Sequence, residues 1–375
     1  MSKLINNKVF ISGMFRSGTT LVARMLASHS EVACASDPFL PLYKHIRNKI
    51  IGRDIKDESP LQDYYFDSNS IETYKVLKNI RIAEINVSSN DLEYIKHKIK
   101  EYTKPFSPRI AESVDKLKGS TVDNIVECGM NLVGEVYGGE DSSLIATKEV
   151  WANEFGSILI QNGLVNKVIH IVRDPRAVIA SNIASGQVYP LIFTLRQWRK
   201  LAGIAIMNQD NKNHKIIRYE DIMNDKKKAS EEICKYIGVD FDVNMVREET
   251  YRDGDGQPWK RNTSYRNKKM TKITGTDDWK NVLSLVQKQY IEKYAGREMS
   301  IFGYKKELEC YPSTIGYDEK DIRYANWINK YADYNWIFEE QKEKKRLEYM
   351  SATNLNSEEI DLNFIDKEIY ERVKN

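Results

Sequence analysis

The residues whose types and spacing suggest chemistry first occur in a glycine-bearing turn near the N-terminus. Residues 13–20 read Gly-Met-Phe-Arg-Ser-Gly-Thr-Thr, directly after an apolar run and directly before a helical pattern. Where a strand turns into a helix, backbone N–H groups and the helix dipole converge on an anion. Hydroxyls, N–H groups and one positive charge would come from Arg16, Ser17, Gly18, Thr19 and Thr20. The pattern predicts a phosphate site; an ordinary tight turn is the alternative.

This turn departs from the phosphate loop of nucleotide triphosphatases at one position. Their pattern is G-x-x-x-x-G-K-[ST], and Thr19 stands where the lysine should be. That lysine contacts the β and γ phosphates, so its absence argues against an NTPase or a nucleotide kinase. The positive charge lies inside the loop instead, at Arg16.

A second candidate phosphate contact follows the apolar run 167–172. Arg173 comes directly after this run, and Ser181 lies eight residues further on. A guanidinium at the carboxyl end of a strand can hold a phosphate through two parallel hydrogen bonds. Eight residues are just over two helical turns, so the Ser181 hydroxyl can face the same pocket. Taken alone, the alternative is that Arg173 pairs with Asp174 and that Ser181 is an ordinary helix residue.

These two motifs, and a third, resemble those of the sulfotransferases that use 3′-phosphoadenosine-5′-phosphosulfate (PAPS). Residues 15–20, Phe-Arg-Ser-Gly-Thr-Thr, resemble the family's 5′-phosphosulfate loop. The arginine and serine resemble the pair that grips the donor's 3′-phosphate. Residues 217–222 resemble the family's third strand, and Tyr219 stands at the place of the tyrosine that contacts adenine. Leu21 stands where the steroid and phenol branch has an adenine-stacking aromatic residue, so this chain is not close to that branch.

The resemblance covers residues 8–37 and 144–304. It implies transfer of a sulfuryl group from PAPS, with 3′-phosphoadenosine-5′-phosphate (PAP) as product and no metal. The acceptor implied is a hydroxyl or amine of a small metabolite or a carbohydrate. Two alternatives remain, a P-loop nucleotide kinase or NTPase and a catalytically silent nucleotide-binding protein of the same fold.

Three side chains are expected to carry the chemistry. Arg16 would meet the 5′-phosphate and sulfuryl oxygens. Lys148, just after the apolar run 144–146, would stabilise the transferring group, unless it is a surface lysine. The resemblance to the tyrosyl-protein and carbohydrate branches assigns the general base to a carboxylate, which here falls on Asp37.

Other assignments of the base stay open. Asp37 precedes Pro38, and Asp-Pro commonly starts a turn. His45 and Glu149 are the other candidates. The steroid and phenol branch has a histidine where this chain has Val150.

A basic segment within residues 241–280 is the last candidate for donor binding. The resemblance implies a basic loop that closes over the 3′-phosphate and ends near a tryptophan, which here is Trp279. Ser264 is the predicted phosphate contact in this segment, whereas its lysines and arginines are also consistent with a solvated loop.

The motifs follow short apolar runs that read as strands. These runs lie at 8–15, 144–146, 167–172 and 215–219, and helical patterns follow the motifs at 19–28, 177–184 and up to 237. Strands that alternate with helices predict an α/β fold with a parallel β-sheet flanked by helices, and ligands bind at the carboxyl ends of such strands. We therefore expect a P-loop-like sulfotransferase fold.

The domain organisation predicted is a sulfotransferase domain over residues 1–304 and a helical C-terminal extension over 305–375. Within the first domain, residues 40–125 read as a helical insertion that covers the substrate. In the extension, Trp327 and Trp336 with their tyrosine neighbours are able to pack on a second copy, which would make a homo-oligomer.

Composition limits the class of protein. The chain has 375 residues, and 41% are hydrophobic, which excludes global disorder. A net charge of +3 argues against a nucleic-acid-coating protein. No apolar run approaches about 18 residues and no signal sequence is visible, so neither a membrane anchor nor secretion is predicted. Scattered cysteines without C-x-x-C, and no H-E-x-x-H, favour a reducing cytoplasm and no metal. The abundance of Lys, Asn and Ile suggests a bacterial source.

Overall fold

A computed structural model describes most of the chain. The described residues are 5–56, 74–186, 189–260, 275–309, 322–323, 326, 329–330, 335–352 and 355–374. They divide into two compact units. The first comprises Met1–Glu58, Val76–Val172 and Asp210–Lys268, and the second comprises Ser59–Lys75, Arg173–Gln209 and Lys269–Asn375. The predicted boundary at residue 304 stays a prediction.

Five strands and a series of helices alternate along the chain. The strands are β1 (Asn7–Gly13), β2 (Val32–Ser36), β3 (Leu144–Lys148), β4 (Lys167–Val172) and β5 (His214–Arg218). The helices are α1 (Thr19–Ala27), α2 (Leu40–Ile50), α3 (Ser89–Thr103), α4 (Pro108–Ser113), α5 (Val122–Tyr137), α6 (Phe155–Gln161), α7 (Pro175–Ala184), α8 (Leu191–Met207), α9 (Tyr219–Asn224), α10 (Lys226–Ile237), α11 (Trp279–Val282), α12 (Leu285–Ile301), α13 (Trp336–Ser351), α14 (Ser357–Asn363) and α15 (Lys367–Val373). Short 3-10 turns lie at Ile82–Glu84, Val114–Lys116, Val243–Met245 and Glu248–Thr250.

The first unit contains the sheet, whose strand order is β2-β3-β1-β4-β5. All four pairings are parallel. The predicted parallel sheet flanked by helices is therefore confirmed. Because helices cover both faces of such a sheet, its strands are apolar almost throughout, and the central strands here are buried along nearly their whole length.

The two faces of the sheet carry separate sets of apolar side chains. Val9 and Ile11 on β1 belong to a buried cluster that includes residues of α1 and α10. Phe10, between them, points the other way and contacts Tyr43 of α2 edge-on at a centroid distance of 6.1 Å. At Gly134 of α5, an added Cβ would lie 3.0 Å from the Ile145 side chain, so this helix packs closely on β3. The alternation of side chains along β1 thus fixes which helices lie on each face.

The described part of residues 40–125 is mainly helical, as predicted, and contains α2, α3, α4 and the start of α5. Two features of the first unit differ from the sequence prediction. A strand, β2, lies at Val32–Ser36, where no strand was predicted. Tyr219 does not end a strand: β5 ends at Arg218, and Tyr219 is the first residue of α9.

The second unit is helical, and buried ion pairs connect its elements. Arg196 of α8 pairs with Glu339 and Glu343 of α13, and Arg199 also pairs with Glu343. At Gly203 of α8, a Cβ would lie 2.9 Å from the Ile369 side chain of α15. In the described part of the predicted C-terminal extension, α13 and α15 thus pack on α8. Among the described residues, no helix is both long enough and apolar enough to span a membrane.

Candidate active site

The loop between β1 and α1 has the backbone geometry of an anion site. Gly13 ends β1 with φ at 144°, and a Cβ there would lie 2.6 Å from the Ile171 carbonyl oxygen. Arg16 and Gly18 also have positive φ, at 68° and 90°. Turns that mix left-handed and right-handed residues aim successive N–H groups into one concavity. We call residues 13–18 the β1–α1 loop.

Polar groups inside this loop fit a phosphate. The Ser17 Oγ atom is buried and has no hydrogen-bond partner among the described residues. Helix α1 begins at Thr19, and Gly18 before it gives no side-chain cap to the first N–H groups. A buried hydroxyl without a partner and an uncapped helix start both gain from an incoming anion. Arg16, Ser17 and Gly18 thus lie in this loop, and Thr19 and Thr20 follow directly as the first two residues of α1.

Tyr219 lies against this loop from the start of α9. A Cβ added to Gly18 would lie 2.3 Å from the Tyr219 ring, so the loop and the ring are in close contact. The Tyr219 side chain is buried. Its predicted contact with adenine stays a prediction.

The predicted base and the predicted lysine form a buried ion pair. Lys148 is the last residue of β3 and pairs in register with Ser36, the last residue of β2, so Asp37 follows beside it. The Lys148 Nζ atom contacts the Asp37 Oδ2 atom directly. Their exposed fractions are 2% and 5%. A carboxylate this deeply buried is stable only with a charge partner, which Lys148 provides.

Backbone groups complete the surroundings of the Asp37 carboxylate. The Val150 N–H donates to Asp37 Oδ1 at 3.1 Å, and the Asp37 N–H donates to the Lys148 carbonyl oxygen at 2.6 Å. Asp37 has φ at 47°, a left-handed conformation that is uncommon outside glycine. The strand neighbour β1 brings this pair close to the loop, since Ile11 is in register with Lys148 and Gly13 follows two residues later.

The alternative bases have other environments. Glu149 is fully buried, and its Oε1 atom accepts a hydrogen bond from the Phe39 N–H at 2.7 Å. Burial, and then the negative charge of Asp37, raise the pKa of Glu149 well above its ordinary value. The His45 Nδ1 atom contacts the Ile55 carbonyl oxygen, and its ring packs edge-on against Tyr94 at 5.1 Å. The assignment of the base to Asp37 stays a prediction.

Arg173 and Ser181 lie in the second unit, and both are buried. The Trp198 indole N–H donates to the Arg173 carbonyl oxygen at 2.8 Å. Asp174 caps α7 by accepting from the Arg176 N–H, and its carboxylate also binds the Arg176 guanidinium. The 3′-phosphate role of Arg173 and Ser181 stays a prediction. Ser264 lies outside the described residues.

The sequence analysis missed one buried polar residue at this site. Asn153 lies between β3 and α6, and its Oδ1 atom accepts from the Gly13 N–H and the Ser12 Oγ–H, both at 2.7 Å. It is a lone asparagine in the segment Trp-Ala-Asn-Glu, outside every recognised motif, so no sequence signal marks it.

Comparisons with known proteins find similarity to sulfotransferases. Residues 8–112, which include the β1–α1 loop and Asp37, match the model of the "Sulfotransferase family". The chain is 23% identical over 293 residues to carbohydrate sulfotransferase 1 of Homo sapiens, and the same values hold for the protein of Rattus norvegicus. The match covers 64% of this chain and 65% of each of these relatives, which is less than two thirds of their length.

Solved structures similar to this chain include two sulfotransferase domains. The domain from the Synechococcus PCC 7002 olefin synthase is 18% identical, with a TM-score of 0.46 over 81% of this chain and 98% of that one. The domain from the curacin biosynthetic pathway is 16% identical, with a TM-score of 0.48 over 81% of this chain and 99% of that one.

Proposed function

We propose that this chain is a PAPS-dependent sulfotransferase that sulfates a hydroxyl or amine of a small metabolite or a carbohydrate and releases PAP. The observation that carries the proposal is the buried Asp37–Lys148 pair beside the β1–α1 loop. A pair of this kind supplies a proton acceptor and a cation at one edge of the sheet. The loop next to it supplies an anion site.

The loop would hold the 5′ end of the donor. A phosphosulfate carries negative charge on several oxygens. It would bind to the backbone N–H groups at the start of α1, the Ser17 hydroxyl and the Arg16 guanidinium. The sequence resemblance assigns the 3′-phosphate to Arg173, Ser181 and Ser264, and the adenine to Tyr219. When bound, the donor supplies an electrophilic sulfur and a phosphate leaving group.

Asp37 would act as the general base. As the acceptor oxygen or nitrogen bonds to sulfur, the bond from sulfur to the phosphate oxygen breaks, and the acceptor's proton moves to an Asp37 carboxylate oxygen. The Lys148 ammonium contacts that carboxylate directly, and Asp37 is only 5% exposed. The same ammonium has further protons with which to bind a sulfuryl oxygen, so it would also offset the charge that develops during transfer.

The acceptor class is the least constrained part of the proposal. Both similar proteins described above are carbohydrate sulfotransferase 1, which supports testing saccharides first. A cytoplasmic location is supported by the free thiols of Cys34, Cys128 and Cys234 among the described residues. A bacterial source and a homo-oligomeric state stay predictions, as do the absence of a nucleic-acid partner, a membrane partner and a metal.

Calorimetric titration with PAP tests the proposed function, with ATP and Mg²⁺ as the comparison. PAP should bind and should raise the melting temperature, whereas ATP with Mg²⁺ should do so much less, because Thr19 replaces the lysine that NTPases use. Consumption of PAPS with a panel of hydroxylated saccharides and small alcohols then identifies the acceptor. Binding of ATP with Mg²⁺ but not of PAP would favour the kinase or NTPase alternative, and PAP binding without turnover on any acceptor would favour the silent nucleotide-binding protein.

A further inference from the structure

Asn153 connects the β1–α1 loop to the segment that follows β3. It is 4% exposed, and its hydrogen-bond partners Ser12, Gly13 and Val150 lie in the first unit. The Oδ1 atom accepts two hydrogen bonds, from the Gly13 N–H and from the Ser12 Oγ–H. The Nδ2 group donates to the Val150 carbonyl oxygen. The oxygen and the nitrogen of one neutral amide therefore both form hydrogen bonds with backbone groups that border the candidate active site.

The oxygen and the nitrogen of the Asn153 amide each bind a residue that lies next to the candidate active site. On the first side, Gly13 is the last residue of β1 and begins the anion loop. On the second side, Val150 gives its own N–H to Asp37 Oδ1 at 3.1 Å. A continuous chain of hydrogen bonds thus runs from the start of the loop, through Asn153 and Val150, to the carboxylate proposed as base.

The surroundings of Asn153 require an uncharged side chain with both a donor and an acceptor. Ser12 Oγ lies 3.2 Å from the Nδ1 atom of His170, whose pKa burial lowers to about 3, so that ring is neutral at physiological pH. The Val150 carbonyl oxygen can only accept, and the Gly13 N–H can only donate. Among side chains of this size, asparagine alone meets both demands without adding a charge.

We infer that Asn153 is a positioning residue that fixes the distance between the anion loop and Asp37, so that donor binding and proton removal depend on the same amide. The inference rests on the proposed function. It assigns Asn153 no contact with the substrate; its effects pass through Gly13 and Val150.

The chain contains a matched control for this inference. Asn162, at the end of α6 in the same unit, accepts from the Ile82 N–H at 3.2 Å and donates to the carbonyl oxygens of Ile80 and Ile158. Like Asn153, it makes three hydrogen bonds that connect separate segments of backbone, but its partners belong neither to the loop nor to the segment beside Asp37. Substitution of Asn162 therefore measures how much stability and PAP affinity the protein loses when it loses an amide of this kind away from the site.

The experiment compares Asn153→Ala with Asn162→Ala in the full chain. For Asn153→Ala, we expect PAP affinity to fall about tenfold, because a buried N–H at the loop loses its acceptor, and single-turnover transfer to fall by a similar factor. Asn162→Ala should leave both within about twofold of wild type at a comparable melting temperature. Equal effects of the two substitutions on PAP affinity would overturn the inference.

A second measurement separates positioning from general destabilisation. In an Asp37→Asn background, Asn153→Ala should still weaken PAP binding but should cause little further loss of the residual transfer rate, since the residue it positions is already disabled. If Asn153→Ala lowers the transfer rate in this background by the same factor as in the wild-type protein, the inference is contradicted.

If Asn153→Ala does not fold, Asn153→Asp, which keeps the acceptor atoms and removes the donor to Val150, replaces it in the same cycle. If the wild-type protein does not bind PAP, the proposed function is refuted and the inference with it; if it does bind, equal effects in the two asparagine variants refute the inference alone.

Discussion

The buried ion pair between Asp37 and Lys148 gives the most direct test of the site's energetics. Lys148→Met removes the ammonium but keeps the length of the side chain, and it leaves a carboxylate that is 5% exposed with the Val150 N–H as a remaining partner. Removal of one member of a buried pair typically costs about 3–5 kcal/mol. Because one backbone hydrogen bond remains, we expect the free energy of unfolding to fall by about 3 kcal/mol, the lower end of that range.

The double variant Asp37→Asn/Lys148→Met isolates the interaction between the two residues. With both charges removed, the buried site holds a neutral amide and an apolar side chain, so much of the single-variant loss should be recovered. The coupling energy should be about 2–3 kcal/mol, at the upper end of what residues in contact show. Urea unfolding of wild type, the two single variants and the double variant measures it, and the value should change little with added salt because both groups are buried.

A surface pair in the same unit is the control. Lys116 and Glu135 form an ion pair whose side chains are 58% and 47% exposed, and such pairs contribute roughly 0–1 kcal/mol. Its coupling energy should be small and should decrease with salt. A coupling energy for Asp37 and Lys148 no larger than that of this surface pair would refute the argument that burial makes each charge depend on the other.

Three further predictions concern individual residues of the site. Asp37→Asn should lower the single-turnover transfer rate about 10²–10⁴-fold and leave PAP binding, measured by calorimetry, unchanged; a transfer rate close to that of wild type would show that another group takes the proton. Gly18→Ala places a Cβ 2.3 Å from the Tyr219 ring and should weaken PAP binding more than about tenfold, whereas Gly163→Ala, at a similar positive φ but with open space around it, should leave binding unchanged. Glu149→Gln should become more stable relative to wild type as pH rises from about 5 to 8. Folding raises the pKa of the Glu149 carboxyl, so the wild-type protein loses stability as pH rises above the pKa of this group in the unfolded chain. Urea midpoints of both proteins at the two pH values measure this, and a constant difference between them would contradict it.

The loop and the main strands could be predicted because their signals are local. The runs at β1 and β4 are apolar and end at the glycine or the arginine of a recognisable motif, and the helix after the β1–α1 loop follows directly. Residues 16–20, Asp37 and Lys148 were therefore each proposed from short segments. The short strand Val32–Ser36 was missed because Val-Ala-Cys-Ala-Ser is brief and made mostly of small residues, which carry a weak strand signal.

Contacts between distant segments could not be predicted in the same way. Asp37 and Lys148 were assigned separate tasks, and their direct contact depends on β2 lying next to β3, which is a property of strand order. Asn153 could not be found at all, because an isolated asparagine has no motif and its partners Ser12 and Gly13 lie about 140 residues away along the chain. Tyr219 was placed at a strand end because residues 215–219 were interpreted as one strand, yet the chain turns into a helix at Tyr219.

The left-handed backbone at Asp37 limits how this candidate active site can be redesigned. Asparagine and histidine tolerate such a conformation better than other residues with side chains, and glycine adopts it freely. A glutamate would carry the same charge but would strain the backbone at this position. Its carboxylate would also extend one methylene further than that of Asp37, past the Lys148 ammonium. A mutant library at this codon is therefore best confined to asparagine, histidine and glycine, and a longer acid would have to be introduced at a neighbouring position instead.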